Sequence, residues 1–175
     1  DEGNEISQGR VLTRAETMEG ILSGFAVFSS ALRKAGFKGK IILENIDYNP
    51  TGAYEHVCEP EFIREVIERT GAGMIFDVAH ALVSANNLGY KDYMDYVRRI
   101  VDSSNIAKVK ELHIAVPAFD PVIERWVDRH LCFSDEPTSE ANTSIRNILS
   151  YIFNLRAAQG IEDTLLVNFE TDTQK

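Results

Sequence analysis

Residues 61–80 read EFIREVIERTGAGMIFDVAH, and this stretch decides the fold. Phe62, Ile63, Val66 and Ile67 recur at spacings of three and four, which predicts an amphipathic helix over 60–70. Gly71-Ala72-Gly73 breaks the pattern, and MIFDV follows over 74–78 as a short, uniformly apolar run. A run of that kind fits a strand buried on both faces, as in a parallel sheet. It closes on Asp77, with His80 close behind.

The same unit recurs on either side. Upstream, Met18, Ile21, Leu22, Phe25, Phe28 and Leu32 predict a helix from Thr13 or Arg14 to about Ala35, with a Thr13–Glu16 capping box and Gly36 as its stop. The strand KIILEN over 40–45 then ends in Glu44 and Asn45. Downstream come a helix over 90–101, the strand VKELHIA over 109–115 bearing His113, a helix over 142–159, and the strand TLLVNF over 164–169, followed at once by Glu170. Helix and strand alternate four times, which implies a parallel sheet with helices outside it and all strand C-termini on one face. The expected class is α/β, a partial (β/α)8 TIM barrel forming a single domain over 1–175. Residues 1–13 are expected to be a terminal loop, and 116–141 a long loop at the face where the strands end.

Composition narrows the function. With 18 Lys and Arg against 27 Asp and Glu, the net charge is −9. An acidic chain with no basic run is a poor binder of nucleic acid, whose phosphates need cations. No stretch approaches the roughly 20 apolar residues of a membrane span. Residues 1–10 are polar rather than signal-like. Two cysteines, Cys58 and Cys132, form no CxxC pair and are too few for a disulfide scaffold, which fits a reducing cytoplasm.

The chemistry gathers at the strand ends: Glu44, then Asp77 and His80, then His113, then Glu170, with Asp128 and His130 in the long segment. Singly, each has a structural reading: a capping aspartate, a satisfied core histidine, a loop ion pair with Arg125 or Arg129. Their serial placement at one rim points instead to a divalent-metal site. Carboxylates with imidazoles suit Fe, Zn or Mn. Seven candidates exceed the four ligands of one tetrahedral ion, so two or more ions bridged by a carboxylate are expected. Asn45 and Asn168 are expected to orient the ligands.

The order Glu44, Asp77-x-x-His80, His113, Asp128-x-His130, Glu170 resembles the metal signature of the xylose-isomerase-like TIM barrels, which include sugar isomerases, epimerases and endonuclease IV repair enzymes. ILEN (42–45), EFIREVIERTGAGMIFDV (61–78), VSANNLGY (83–90) and KELHIA (110–115) are similar to the multinuclear non-haem iron-dependent oxidative enzymes, formerly an uncharacterised bacterial family. The resemblance runs over about 15–172, and the chain is similar to the C-terminal half to two-thirds of such a barrel. It implies two or three irons held by Glu44, Asp77, His113, Asp128, His130 and Glu170. It also implies dioxygen-dependent modification of cysteines in a ribosomally made peptide presented by a partner protein. The chain departs from that pattern at Ala79-His80, where the family reads Asn-Asn, and at Val116-Pro117, where it reads Gly-His; His80 fits the wider superfamily. Two alternatives stand beside this oxidoreductase reading. One is a sugar isomerase or epimerase acting on a small molecule. The other is an inactive barrel piece that serves only in partner binding, or as a homo-oligomer closing the barrel between copies, since half a barrel leaves open sheet edges.

Overall fold

A computed structural model describes residues 11–52, 54–136 and 138–170. The expected terminal loop therefore lies, up to Arg10, outside the described residues. Helix α1 spans Arg14–Lys34, opened by the reciprocal Thr13–Glu16 capping box and followed by Gly36 at φ 86°. Strand β1 is Ile42–Glu44 and helix α2 Pro60–Thr70, with Gly71 in the left-handed conformation at its end. Strand β2 (Gly73–Asp77) runs directly into helix α3 (Val78–Asn87), and helix α4 (Tyr93–Ile100) follows. Then come β3 (Val109–Ile114), β4 (Val116–Asp120), β5 (Arg125–Leu131), α5 (Glu140–Ala158) and β6 (Leu166–Phe169).

The sheet order is β1-β2-β3-β6 with every pair parallel, so the chain forms part of a TIM barrel wall. Side chains alternate across it. Met74, Phe76, Leu112 and Ile114 enter one apolar core with residues of α2 to α5, such as Ile67, Leu82, Val97 and Ile148. The intervening positions, among them Glu44, Asp77, Glu111 and His113, project from the opposite face. Asp77 pairs in register with His113, and His113 with Asn168, so the candidate residues stand side by side along the strand ends.

Three expectations need correction. The segment 116–141 is not one long loop, because β4 and β5 form an antiparallel hairpin and place Asp128 and His130 on a strand. Pro117 and a register shift between Val116 and Ala118 break the alternation that would have marked β4. Second, two helices follow β2 rather than one. Seven of the ten residues of α3 are buried, so it lacks the polar face by which an amphipathic helix is recognised. Third, the apolar stripe of α1 is only partly used: Met18 packs with Phe62 and Val66, whereas Phe28 is exposed.

The fully buried Phe76 ties β2 to the helical layer. Phe76→Ala is expected to lower the unfolding free energy by about 3–5 kcal/mol, read as a shifted urea midpoint.

Candidate metal centre

Three of the chain's four histidines meet four carboxylates at the C-terminal ends of the strands, so the clustering is not a sampling of many residues. Glu44 Oε1 lies 3.5 Å from His80 Nδ1 and 3.3 Å from His113 Nδ1. His80 Nε2 is 3.4 Å from Asp128 Oδ2, which is 2.8 Å from His130 Nε2. His130 Nε2 stands 3.9 Å from Glu170 Oε2, and Glu170 Oε1 is 3.1 Å from His113 Nδ1. These contacts close a circuit of six residues. Asp77 sits against it, with Oδ1 3.8 Å from His80 Nδ1 and Oδ2 4.0 Å from His113 Nδ1. All seven residues singled out in the sequence are thus brought together.

Local structure fixes the buried half of this circuit. The fully buried Asp77 caps α3, accepting a 2.7 Å hydrogen bond from the His80 amide, so the first turn of the helix is drawn against the strand end. The Asn45 amide clasps the backbone of Asp77 at two points, accepting from its N–H at 2.9 Å and donating to its carbonyl at 3.0 Å. The Asn45 carbonyl accepts from His80 Nδ1 at 2.8 Å, leaving Nε2 as the free nitrogen of that ring. Asn168 donates to Glu170 Oε1 at 3.2 Å. On β5 the Asp128 carboxylate accepts from the His130 amide at 3.1 Å, where His130 holds a left-handed φ of 47°. Such a backbone costs on the order of 1–3 kcal/mol and persists only where the surroundings hold it. Glu111, which sequence reading passed over, lies 3.1 Å from His113 Nε2. Its spacing of two from His113 on a strand was the available signal.

The donor set suits a divalent cation. Asp77 Oδ2 and His113 Nδ1 are both buried and have no hydrogen-bond partner among the described residues, yet they face each other at 4.0 Å. Two ligands of one ion, each about 2.1 Å from it, stand roughly 3–4 Å apart. Ligand atoms of Asp77, His113 and Glu170 lie within 4.8 Å of one another, and so do those of Glu44, Asp77 and His80. The first trio is the better fit, because in the second His80 Nδ1 is already committed to the Asn45 carbonyl.

Electrostatics point the same way. Burial pushes the Asp77 carboxyl up to about 6, only partly offset by His80. Burial opposes the charge of His80, but Asp128, Asp77 and the Asn45 carbonyl outweigh it and raise the imidazole to about 9. His113 is also raised: burial works against its charge, while Glu111, Glu44, Glu170 and Asp77 favour it. Without a metal, protonated imidazoles supply the positive charge that the carboxylates require. His80 binds its proton more tightly folded than unfolded, so its stabilisation is complete below about 6.5 and is lost as pH rises through about 9. Urea titrations of the metal-free protein should therefore show stability falling by on the order of 3 kcal/mol across that window. His80→Gln should flatten most of the slope, the remainder belonging to His113.

A family described as RiPP precursor modification enzyme MbnB/TglH/ChrH matches residues 31–137. A UPF0276 protein of Bordetella pertussis is 36% identical over 75 residues, covering 43% of this chain and 24% of that protein. UPF0276 proteins of Psychromonas ingrahamii and Paraburkholderia phytofirmans are each 31% identical, over 80 and 103 residues, covering 43% and 57% of this chain. The matched stretches span 25% and 32% of those two proteins, so the similarity covers a quarter to a third of the curated relatives' length. The family match takes in the β1–β2–β3 wall and the β4–β5 hairpin, and with them every residue of the cluster except Glu170. The chain belongs to the family of RiPP precursor modification enzymes MbnB/TglH/ChrH, within the xylose-isomerase-like TIM barrels.

Proposed function

We propose that this chain forms the C-terminal part of a barrel in an iron-dependent enzyme that oxidatively modifies a ribosomally made precursor peptide. The observation that carries the reading is the pair of buried atoms, Asp77 Oδ2 and His113 Nδ1, which have no hydrogen bond among the described residues and face each other at 4.0 Å, with Glu44 and Glu170 oxygens 3.3 and 3.1 Å from Nδ1. Burying polar atoms without hydrogen bonds is costly, and a cation shared by these groups relieves both at once. The family supports a peptide substrate.

In this reading Glu44, Asp77, His80, His113, Asp128, His130 and Glu170 hold two or three ions. His80 offers Nε2, beside Asp128 and His130, and His113 offers Nδ1, beside Glu44 and Glu170. Iron bound there supplies Lewis acidity and electrons for dioxygen chemistry. The chain's residues do the rest. The Asn45 clasp fixes where Asp77 presents its carboxylate. The α3 cap holds His80 at the strand end. A partner protein would present the peptide to the centre. No helix among the described residues is long and apolar enough to cross a membrane, which is compatible with a cytoplasmic site of action.

Elemental analysis of protein purified without chelator is expected to find iron at one or more equivalents per chain. His113→Ala and Asp77→Ala should each remove most of it, and a cysteine-bearing precursor peptide should then raise dioxygen uptake only with the unmutated protein. Absence of bound Fe, Mn and Zn from the unmutated protein would overturn the reading.

A further inference from the structure

We infer that Glu111 is a positioning residue of the centre: its carboxylate accepts a hydrogen bond from His113 Nε2–H and so leaves the Nδ1 lone pair for the ion. The inference rests on the metal-binding reading above and adds a residue to it. Glu111 lies two residues before His113 on β3, which puts both side chains on the same face. Its Oε1 is 3.1 Å from His113 Nε2. In the sheet it stands between Ile75 of β2 and Leu166 of β6. Neither neighbour offers a hydrogen bond or a charge. Lys110, the adjacent cation, is paired with Asp163. Among the described residues, the contact to His113 is the one polar interaction of the Glu111 carboxylate.

A carboxylate one step below an imidazole, flanked by apolar residues and engaged with nothing else, has one evident task. An ionised carboxylate has no proton to donate, so the bond requires that Nε2 carry the hydrogen. A neutral His113 is then obliged to leave Nδ1 bare, and that is the atom found buried and without a hydrogen bond among the described residues, 3.1 Å from Glu170, 3.3 Å from Glu44 and 4.0 Å from Asp77. Without Glu111 the proton can move to Nδ1 and bond to Glu170 or Glu44, and the ring then blocks the position it should ligate. The added charge also makes the ring a stronger donor, as when a carboxylate backs a metal-bound histidine.

The test uses the full chain, Zn(II) as a diamagnetic probe, and two variants, Glu111→Gln and Glu111→Leu. Zn(II) affinity is measured by competition with a chromophoric chelator, and the His113 ring nitrogens are followed by 15N NMR. Glu111→Leu should weaken binding about 10- to 100-fold. Glu111→Gln keeps an acceptor without the charge and should weaken it by less. Zn-loaded unmutated protein should show His113 bound through Nδ1 with Nε2 protonated. Unmutated affinity in both variants, or ligation through Nε2 in the parent, overturns the role of Glu111 while leaving the centre standing. If Glu111→Leu does not fold, unchanged affinity in Glu111→Gln is sufficient to overturn it. Failure of the unmutated protein to bind Zn(II), Fe(II) or Mn(II) at all brings down the centre itself, and Glu111 with it.

Discussion

Everything at the strand ends depends on the clasp between the Asn45 side chain and the Asp77 backbone. It forms where β1 and β2 finish and their ladder has run out, at the point where a parallel pair would fray. Its two hydrogen bonds, 2.9 and 3.0 Å, replace the lost ladder with an equivalent made by a side chain. Both residues are buried, so the bonds are protected from competition by water. The consequence passes outward in both directions. The Asn45 carbonyl is set to receive His80 Nδ1, and Asp77 is set to cap α3. One asparagine thus fixes the depth at which a carboxylate and an imidazole are held. The clasp is main-chain in kind on the Asp77 side, so it does not consume the Asp77 carboxylate.

That carboxylate, with Oδ1 capping α3 and Oδ2 left without a hydrogen bond among the described residues, sets the electrostatics of the site. A chain of net charge −9 has no reason of solubility to crowd Glu44, Asp77, Asp128 and Glu170 into one place, where repulsion is least screened. The raised Asp77 and His80 values express the same tension in two forms. The acid resists its charge, and the base acquires one to relieve its neighbours. A divalent ion resolves both, but only by displacing protons, so binding and pH are coupled at this site. The arrangement differs from a surface ion-pair network, which water satisfies, because its charges are balanced either by protons on the imidazoles or by a cation.

Much of this was legible in the sequence. Short strands with apolar positions between amphipathic helices read plainly as a parallel sheet, and a metal-capable residue at or just past each strand end is conspicuous against that background. What escaped did so for physical reasons. Helix α3 is buried nearly all round, so VAHALVSANN carries no periodic polar face. Strand β5, RWVDRHL, is half-buried along its length, and a strand packed loosely on one side loses the alternation that marks a buried face. Asp128 and His130 were found through their residue types, not through their element. Glu111 carries only the weak signal of its spacing of two from His113, because a glutamate inside a strand reads as solvent-facing until the register with Ile75 and Leu166 makes it anomalous.

The cluster is also graded from rigid to adaptable. Asp77, His113 and Asp128 have side chains at most 11% exposed, whereas Glu44, Glu170 and His130 range from 27% to 43%. The buried members are locked by the clasp, the helix cap and the hairpin, so their ordering entropy is spent in folding rather than on binding an ion. The exposed members retain rotamer freedom and can shift as an ion is bound. Glu44 ends β1 and Glu170 follows β6, the two edge strands of the four-stranded sheet among the described residues. A site built this way can be organised for its first ion by this chain's own core. At the exposed members the fold imposes least, and further protein surface has most room to act.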